Sequence, residues 1–225
     1  MGPLKDIKIF ELTRVLAGPH CTQILGDLGA DIIKVERVEN GDDTRKFAPP
    51  FMKDENGKDT DQSAYFSGTN RNKRSITLNL NSPEGQYIAK QLIAKSDILV
   101  ENFKVGTLAK YGLDYNTLKD EFPSLIYCSI TGFGQTGPYS KRPAYDALVQ
   151  AMGGVMSLTG DAKGEPMKVG VSIADLMAGM YGTVSILAAL RHRDKTNEGQ
   201  HLDISMLDAH VAWLANQGMN YLATN

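Results

Sequence analysis

The chain has 225 residues, a length that fits one large α/β domain or two small ones. Hydrophobic residues make up 42% and charged residues 22%, which excludes a disordered tail, a collagen-like fibre and a low-complexity linker. Lys and Arg number 24 against 26 Asp and Glu, so no broad positive field exists to grip nucleic acid or an anionic membrane, and any anion site has to be a local cluster.

The predicted elements alternate along the chain. Residues 7–12 are an apolar run of strand length, 13–18 a loop, and Pro19 suits the first position of a helix that Gly29 stops after Leu28. Residues 31–36 (DIIKVE) read as a second buried strand. Strand, helix and strand within about 30 residues make a βαβ unit, with a parallel pair and a right-handed crossover. The segment 42–61, dense in charge, Pro and Gly, predicts a long exposed loop. Residues 75–80 alternate as a strand, and Ser82-Pro83-Glu84 opens a helix that ends near Lys95. Strands at 97–101 and 125–129 enclose two short helices, one near Leu108 and one after Asp114. Gly and Pro recur too often in 131–145 (TGFGQTGPYSKRPAY) for either period, which makes it loop. Helices are expected over 147–156 and 173–193, a strand over 201–205, and a last helix over 207–225 with Val211, Leu214, Met219 and Leu222 on its apolar face. The nearly uncharged run 169–190 approaches the length of a membrane span, but Asp175, Thr183, Ser185 and its glycines assign it to a buried core helix. The first ten residues show no apolar signal core and no Arg/Ser-rich presequence. The fold class is α/β: a doubly wound, Rossmann-like parallel sheet in a single domain over 1–225.

A sheet of this kind binds ligands at the carboxyl ends of its strands. The first such loop, TRVLAGPHC, has one glycine where GxGxxG needs three, and no GxxxxGK[ST] occurs, which disfavours a standard dinucleotide or P-loop site. The strand ends carry Arg14, Lys34, Arg37, Asn102 and Lys104, with Lys110 one short helix later. Such groups suit a ligand with separate phosphates, or simply flank strands on a soluble surface. His20, His192, His201 and His210 stand at no metal-ligand spacing, HExxH and GxSxG are missing, and no metal site is expected. Cys21 and Cys128 lie in no CxxC pair and predict reduced thiols in an intracellular protein.

One carboxylate is oddly placed. Asp175 is the only charge in VGVSIADLMAGMYG. A lone Asp there caps the helix, pairs with a cation or does chemistry. A helix starting just before it would keep it ionised through the positive N-terminal end. Ala178, Gly179 and Gly182 form a small-residue face that lets a backbone or a ligand come close. Tyr145-Asp146 is a second candidate, with a helix cap as its alternative reading.

The segments LTRVLAGPHCTQILGDLGADIIKVER, GDDTRKFAPPF, NRNKRSITLNLNSPEG, SDILVENF, GLDYNTLKDEFPSLIYCSITGFGQTGP, RPAYDALVQAMGG, VGVSIADLMAGMYG and TNEGQHLDISMLDA resemble, in family order, the class III CoA-transferases of the formyl-CoA transferase type. The resemblance covers nearly the whole chain. It implies a CoA-binding and catalytic large domain that is incomplete here, since the family's second domain and its glycine-rich loop over the reacting carboxylate come later than residue 225. It implies an interlocked homodimer for the full-length protein. It makes Asp175 the nucleophile, acting through a mixed anhydride and an aspartyl-CoA thioester.

The same resemblance assigns CoA contacts to Val15, Ala17, Arg37, Leu78, Asn81, Asn102, Phe103, Lys104 and Lys110, with Tyr145 close to the reacting thioester. Coenzyme A enters as a thioester substrate, and no tightly bound cofactor is expected. Leu16 and Phe47 stand where the formyl-CoA enzymes carry Gln and Trp, which argues for a dicarboxyl-CoA donor such as succinyl-CoA and for glutarate or a similar acceptor. Arg45 in GDDTR is then the choice for the acceptor's remote carboxylate. The partners expected are an acyl-CoA, a carboxylic acid and a second copy of the chain, with no nucleic acid and no membrane. Two alternatives stand beside this reading. One is an acyl-CoA racemase of the same fold, whose His takes the place of Tyr145; the other is a non-catalytic CoA-binding or dimerisation fragment. The compartment expected is the cytoplasm, with the mitochondrion as the alternative.

Overall fold

Buried apolar runs and capped helices alternate in space as they do along the chain. The computed structural model describes residues 2–224. Its elements are β1 (Lys8–Leu12), α1 (Ala17–Asp27), β2 (Asp31–Glu36), β3 (Phe51–Lys53), β4 (Asp59–Ser63), α2 (Ala64–Thr69), β5 (Lys73–Thr77) and α3 (Pro83–Ile93), followed by β6 (Ile98–Glu101), α4 (Tyr115–Leu118), β7 (Ile126–Thr131), α5 (Asp146–Met152), α6 (Ile173–Thr196), β8 (His201–Ser205), α7 (Met206–Ala212) and α8 (Ala215–Thr224). Three 3-10 turns, Asp43–Lys46, Leu108–Tyr111 and Val155–Leu158, lie between them.

Six strands form one parallel sheet in the order β5-β2-β1-β6-β7-β8. The chain winds outward one way from β1 and then the other way from β6, so the topological switch point lies between these two strands. Ile9 pairs with Ile32 on one side and Ile98 on the other. Successive side chains point to opposite faces. Ile9 therefore joins the core under α1 and α6, with Leu25, Ile126 and Ile186, while Phe10 joins Ile93, Leu99 and Leu118 on the other face. Both layers are buried, and β6 and β7 are covered at every position. That explains their largely apolar sequence. Helix α3 starts as its sequence demands: the Ser82 hydroxyl accepts from Gly85 N–H, with Pro83 following it.

Several boundaries move. Helix α1 begins two residues before Pro19, which its missing N–H permits because first-turn N–H groups have no intrahelical partner. The segment 42–61 is not a free loop. Asp42 and Thr44 are buried, and β3 and β4 pair as a small antiparallel ribbon outside the main sheet. Helix α2, capped by Ser63, follows it. Strand β5 lies earlier than 75–80, in register with β2 from Ile32↔Lys73 to Glu36↔Thr77. Gly154, at φ 88°, separates α5 from the 3-10 turn that was expected to continue it. The last helix is two, α7 and α8, with Ala215 at φ 45° at the break. Helix α6 has the length and apolarity of a membrane span, yet half of its apolar window is buried within the protein, chiefly against α1, α7 and the sheet.

Candidate active site

The crevice beyond β1 and β6 is closed at its base by one side chain. Asn102, at the end of β6, accepts the Arg14 N–H at 3.0 Å and donates to the Arg14 carbonyl at 2.8 Å. The next residue, Val15, is β-branched and adopts φ 69°. Left-handed backbone at such a residue costs about 1–3 kcal/mol and persists only where neighbours impose it. The Val15 N–H points to Asp42 Oδ1 at 3.3 Å.

Asp42 belongs to a buried ionic network under this loop. Lys34, 1% exposed, lies 3.3 Å from Glu11 and 2.9 Å from Asp42, and donates to the Thr13 carbonyl at 2.9 Å. Lys73 lies 3.1 Å from the other oxygen of Glu11. Burial works to raise Glu11 and Asp42, but the lysines outweigh it and hold both below the usual carboxylate range. Burial, with Lys34 adding repulsion, draws Lys73 down to about 8 against the pull of Glu11. Lys34 is thus not the surface cation its position at a strand end suggests. It holds the loop from below.

Helix α1 starts from this loop and crosses α6 closely. A Cβ on Gly179 would lie 2.7 Å from the Ala17 carbonyl, and one on Gly182 would meet Cys21 Sγ at 3.2 Å. The small face of α6 therefore admits the backbone of α1. Asp175, one turn before Gly179 on α6, is reached by the Ala17 backbone N–H. Burial, then the neighbouring Asp146, pushes its carboxyl up to about 7, and the Ala17 N–H offsets only part of this. The helix end does not keep Asp175 fully ionised, contrary to expectation. Asp175 is also not the cap: it is the third residue of α6, behind Ser172. Tyr65 on α2, half-buried, is pushed up to about 12 by burial and by Asp175, Asp42 and Asp146.

Two clefts meet at Phe103. One, of about 630 Å³, has Arg37, Leu78, Asn81, Phe103 and Tyr111 in its walls. The other, of about 640 Å³, has Val15, Phe47, Asn102, Lys104, Arg142 and Tyr145. Nine of the sequence-derived positions are gathered here: Arg37, Leu78, Asn81, Phe103, Val15, Phe47, Asn102, Lys104 and Tyr145. Leu16 and Ala17 are buried behind Val15, on the Asp175 side of the loop. Lys110 lies outside both walls, beside Tyr111, whose hydroxyl donates to Asn81 at 2.8 Å. The Arg37 guanidinium is paired with Asp43. Arg45 grips Glu36 with two hydrogen bonds of 2.6 and 2.7 Å and lies 3.7 Å over the Phe66 ring, so its fork is filled, and it lines neither cleft. Phe47 packs on Tyr65 with ring centroids 5.6 Å apart. Tyr145, 75% exposed, stands at the entrance to α5.

Asp42, Tyr65 and Arg142 were not singled out in the sequence. Asp42 lies in a stretch whose polarity reads as loop, Tyr65 follows that stretch on α2, and only the fold carries them to α1 and α6. Among the described residues, no cluster of three or more His, Cys, Asp or Glu side chains forms a metal site.

Comparisons with known proteins agree with this architecture. The family model for CoA-transferase family III matches residues 4–225. The chain is 53% identical over 220 residues to succinate–glutarate CoA-transferase of Agrobacterium fabrum, covering 98% of this chain and 55% of that protein. It is 46% identical to succinyl-CoA:glutarate CoA-transferase of Homo sapiens, covering 98% of this chain and 49% of that one. The crystal structure of a CAIB/BAIF family protein from Brucella suis superposes with a TM-score of 0.94 at 52% identity, covering 99% of this chain and 58% of the other. The chain thus spans about half the length of the curated relatives it matches. On the family match and these identities, the chain belongs to CoA-transferase family III.

Proposed function

We propose that the chain carries the CoA-binding clefts and the reacting carboxylate of a CoA-transferase that moves CoA from a dicarboxyl-CoA to a free dicarboxylate. Succinyl-CoA is the donor of choice and glutarate the acceptor, in keeping with the names of the two relatives and with Leu16 and Phe47. The observation that carries the reading is Asp175: a half-buried carboxylate in the first turn of α6, whose ionised form the Ala17 backbone amide favours, behind the loop that lines the cleft with Val15.

The chemistry needs no general base. An ionised Asp175 oxygen attacks the thioester carbonyl, and the tetrahedral adduct expels CoA thiolate, leaving a mixed anhydride. The thiolate attacks the aspartyl carbonyl of that anhydride, releasing the donor acid and leaving an aspartyl-CoA thioester. The acceptor carboxylate then attacks this thioester and expels CoA thiolate, which attacks the acceptor carbonyl to give new acyl-CoA and free Asp175. No net proton is moved. A carboxyl near 7 is partly ionised at neutral pH and more nucleophilic than an ordinary surface aspartate. The Ala17 N–H is a fixed amide close to where negative charge develops.

The nucleotide of CoA fits the cleft with Arg37 and Asn81, and the acyl arm follows the cleft with Val15 and Tyr145. A remote acceptor carboxylate pairs with Lys104 or Arg142, because Arg45 is already committed to Glu36. The working form is a homodimer, whose interface would cover exposed apolar residues such as Met219 and Leu222 of α8.

The test is covalent capture. Succinyl-CoA followed by hydroxylamine should convert Asp175 to its hydroxamate, read by peptide mass spectrometry. Asp175→Asn should bind CoA with unchanged affinity and give no adduct and no succinyl-CoA to glutarate transfer. Full transfer by the Asn variant, with deamidation excluded, overturns the assignment.

A further inference from the structure

Helix α6 begins without a cap of its own. Ser172 makes no side-chain hydrogen bond to the first turn, although first-turn N–H groups lack intrahelical partners. The acceptor comes from another helix. Asp146, the first residue of α5, accepts the Ala174 N–H on Oδ1 at 2.8 Å, and its Oδ2 accepts from Gln150 Nε2 at 2.6 Å. Gln150 is fully buried one turn along α5. Its Nε2 also reaches the Val171 carbonyl at 3.3 Å, and its Oε1 accepts the Val169 N–H at 2.8 Å. Two side chains of α5 thus hold the backbone of Val169, Val171 and Ala174, and the next residue is Asp175.

We propose, resting on the assignment of Asp175 as the acylated group, that Asp146 is a positioning residue for CoA transfer: it fixes the first turn of α6 and sets a second carboxylate beside the reacting one. The fixed turn orients the Asp175 oxygens toward the thioester. The second carboxylate makes Asp175 more basic, which strengthens it as a nucleophile.

The other groups around Asp175 do not supply this effect. From α1 comes the Ala17 N–H, which favours ionisation. From α2 comes the Tyr65 phenol, which Asp175 itself pushes up and which stays neutral below about 12. Asp42 acts on Tyr65 from the loop before α2. His210 on α7 faces Asp146, and burial holds its imidazole toward the neutral form. Cys21 and Cys128 border Gly182, two turns further along α6, and burial raises both thiols.

The test uses Asp146→Asn, which keeps an oxygen for the Ala174 N–H and removes the charge, and Asp146→Ala, which removes both. Carbon-13 labelling of aspartate carboxyls, with Asp175→Asn to assign the signal, reads the Asp175 titration without turnover. Asp146→Asn should lower the Asp175 midpoint by about one pH unit. The acid limb of kcat/KM for succinyl-CoA to glutarate transfer should move down equally, while the plateau falls several-fold. Asp146→Ala should show the same midpoint shift with a deeper loss of plateau. Asp146→Ser, with a shorter oxygen acceptor, serves if the Asn variant does not fold. An Asp175 midpoint that stays in place in these variants overturns the proposal, whatever the rates do. Absent transfer in the unmodified protein would instead count against the functional reading, and the titration would still decide the role of Asp146.

Discussion

Asn102 and Arg14 bridge the two strands at which the sheet changes direction, one side chain satisfying both backbone groups of the other residue. Strands β1 and β6 are adjacent in the sheet but far apart in sequence, so this clamp fixes the crevice where their loops diverge. It also sits in the wall of the cleft with Val15 and Lys104. Asn102→Ala removes both hydrogen bonds at a half-buried site. With each net bond contributing about 0.5–1.5 kcal/mol, CoA affinity should fall roughly tenfold or more. The melting temperature should change little, because the sheet itself is untouched. Calorimetric titration with CoA checks this, and a Kd within twofold of the unmodified protein would show that the bridge does not shape the site.

Lys34 makes a sharper demand on stability. It is sealed between Glu11 and Asp42, and Asp42 in turn faces the left-handed Val15. Lys34→Met fills the space without the charge, leaving Asp42 without its buried cation and Glu11 with Lys73 alone. Removing one partner of a buried ionic group costs about 3–5 kcal/mol. Chemical denaturation should show a loss of that size, together with weakened CoA binding as the Val15 loop relaxes. A variant as stable as the parent would mean that Lys34 is replaceable by packing alone.

The contrast between these sites explains what the sequence discloses. Strands β1, β2, β6 and β7 are legible because most of their side chains are buried, which leaves short runs dominated by apolar residues, and α3 is legible from Ser82-Pro83. Asp175 stands out in the sequence because it is the only charge in VGVSIADLMAGMYG. The ribbon of β3 and β4 is not, since its residues are polar and its pairing lies outside the sheet. Lys34 reads as a surface cation because its partners, Glu11 and Asp42, are distant in sequence. The raised carboxyl of Asp175 is hidden for a similar reason: burial comes first and Asp146 from another helix second, and local helix geometry discloses neither.

Glycine positions give a paired test of packing. Gly179 is pressed by the Ala17 carbonyl, a backbone atom that cannot swing aside, whereas nothing lies within 4 Å of a Cβ added to Gly68 on α2. Gly179→Ala should push α1 from α6 and cost about 1–3 kcal/mol. Gly68→Ala, in a helix with open space, should be neutral or gain up to about 1 kcal/mol. Because the Ala17 amide favours the ionised form of Asp175, Gly179→Ala should also slow the proposed acylation of Asp175, and Gly68→Ala should not. Equal effects from the two substitutions would show that the close helix crossing is not under strain.

Asp175 itself should make the protein less stable as pH rises. Its folded pKa, about 7, lies above the ordinary value of 3.8, so the folded state favours the protonated form. That contribution is fully present below about 4 and is lost as pH climbs through 7. Asn at this position does not ionise and keeps an oxygen for the Ala17 N–H. Asp175→Asn should therefore be more stable than the parent at pH 8, by about 3 kcal/mol, with the difference vanishing toward pH 4. Glu101, also pushed up to about 7 by burial, titrates in the same window in both proteins and cancels from the comparison. Urea denaturation at a series of pH values measures the difference directly. The Asn variant being the more stable one at pH 8 would mark the carboxylate as a group kept for chemistry against the preference of the fold. An Asn variant of equal or lower stability at that pH would show that Asp175 is held comfortably as an anion, and raised basicity would drop out of the role proposed for it.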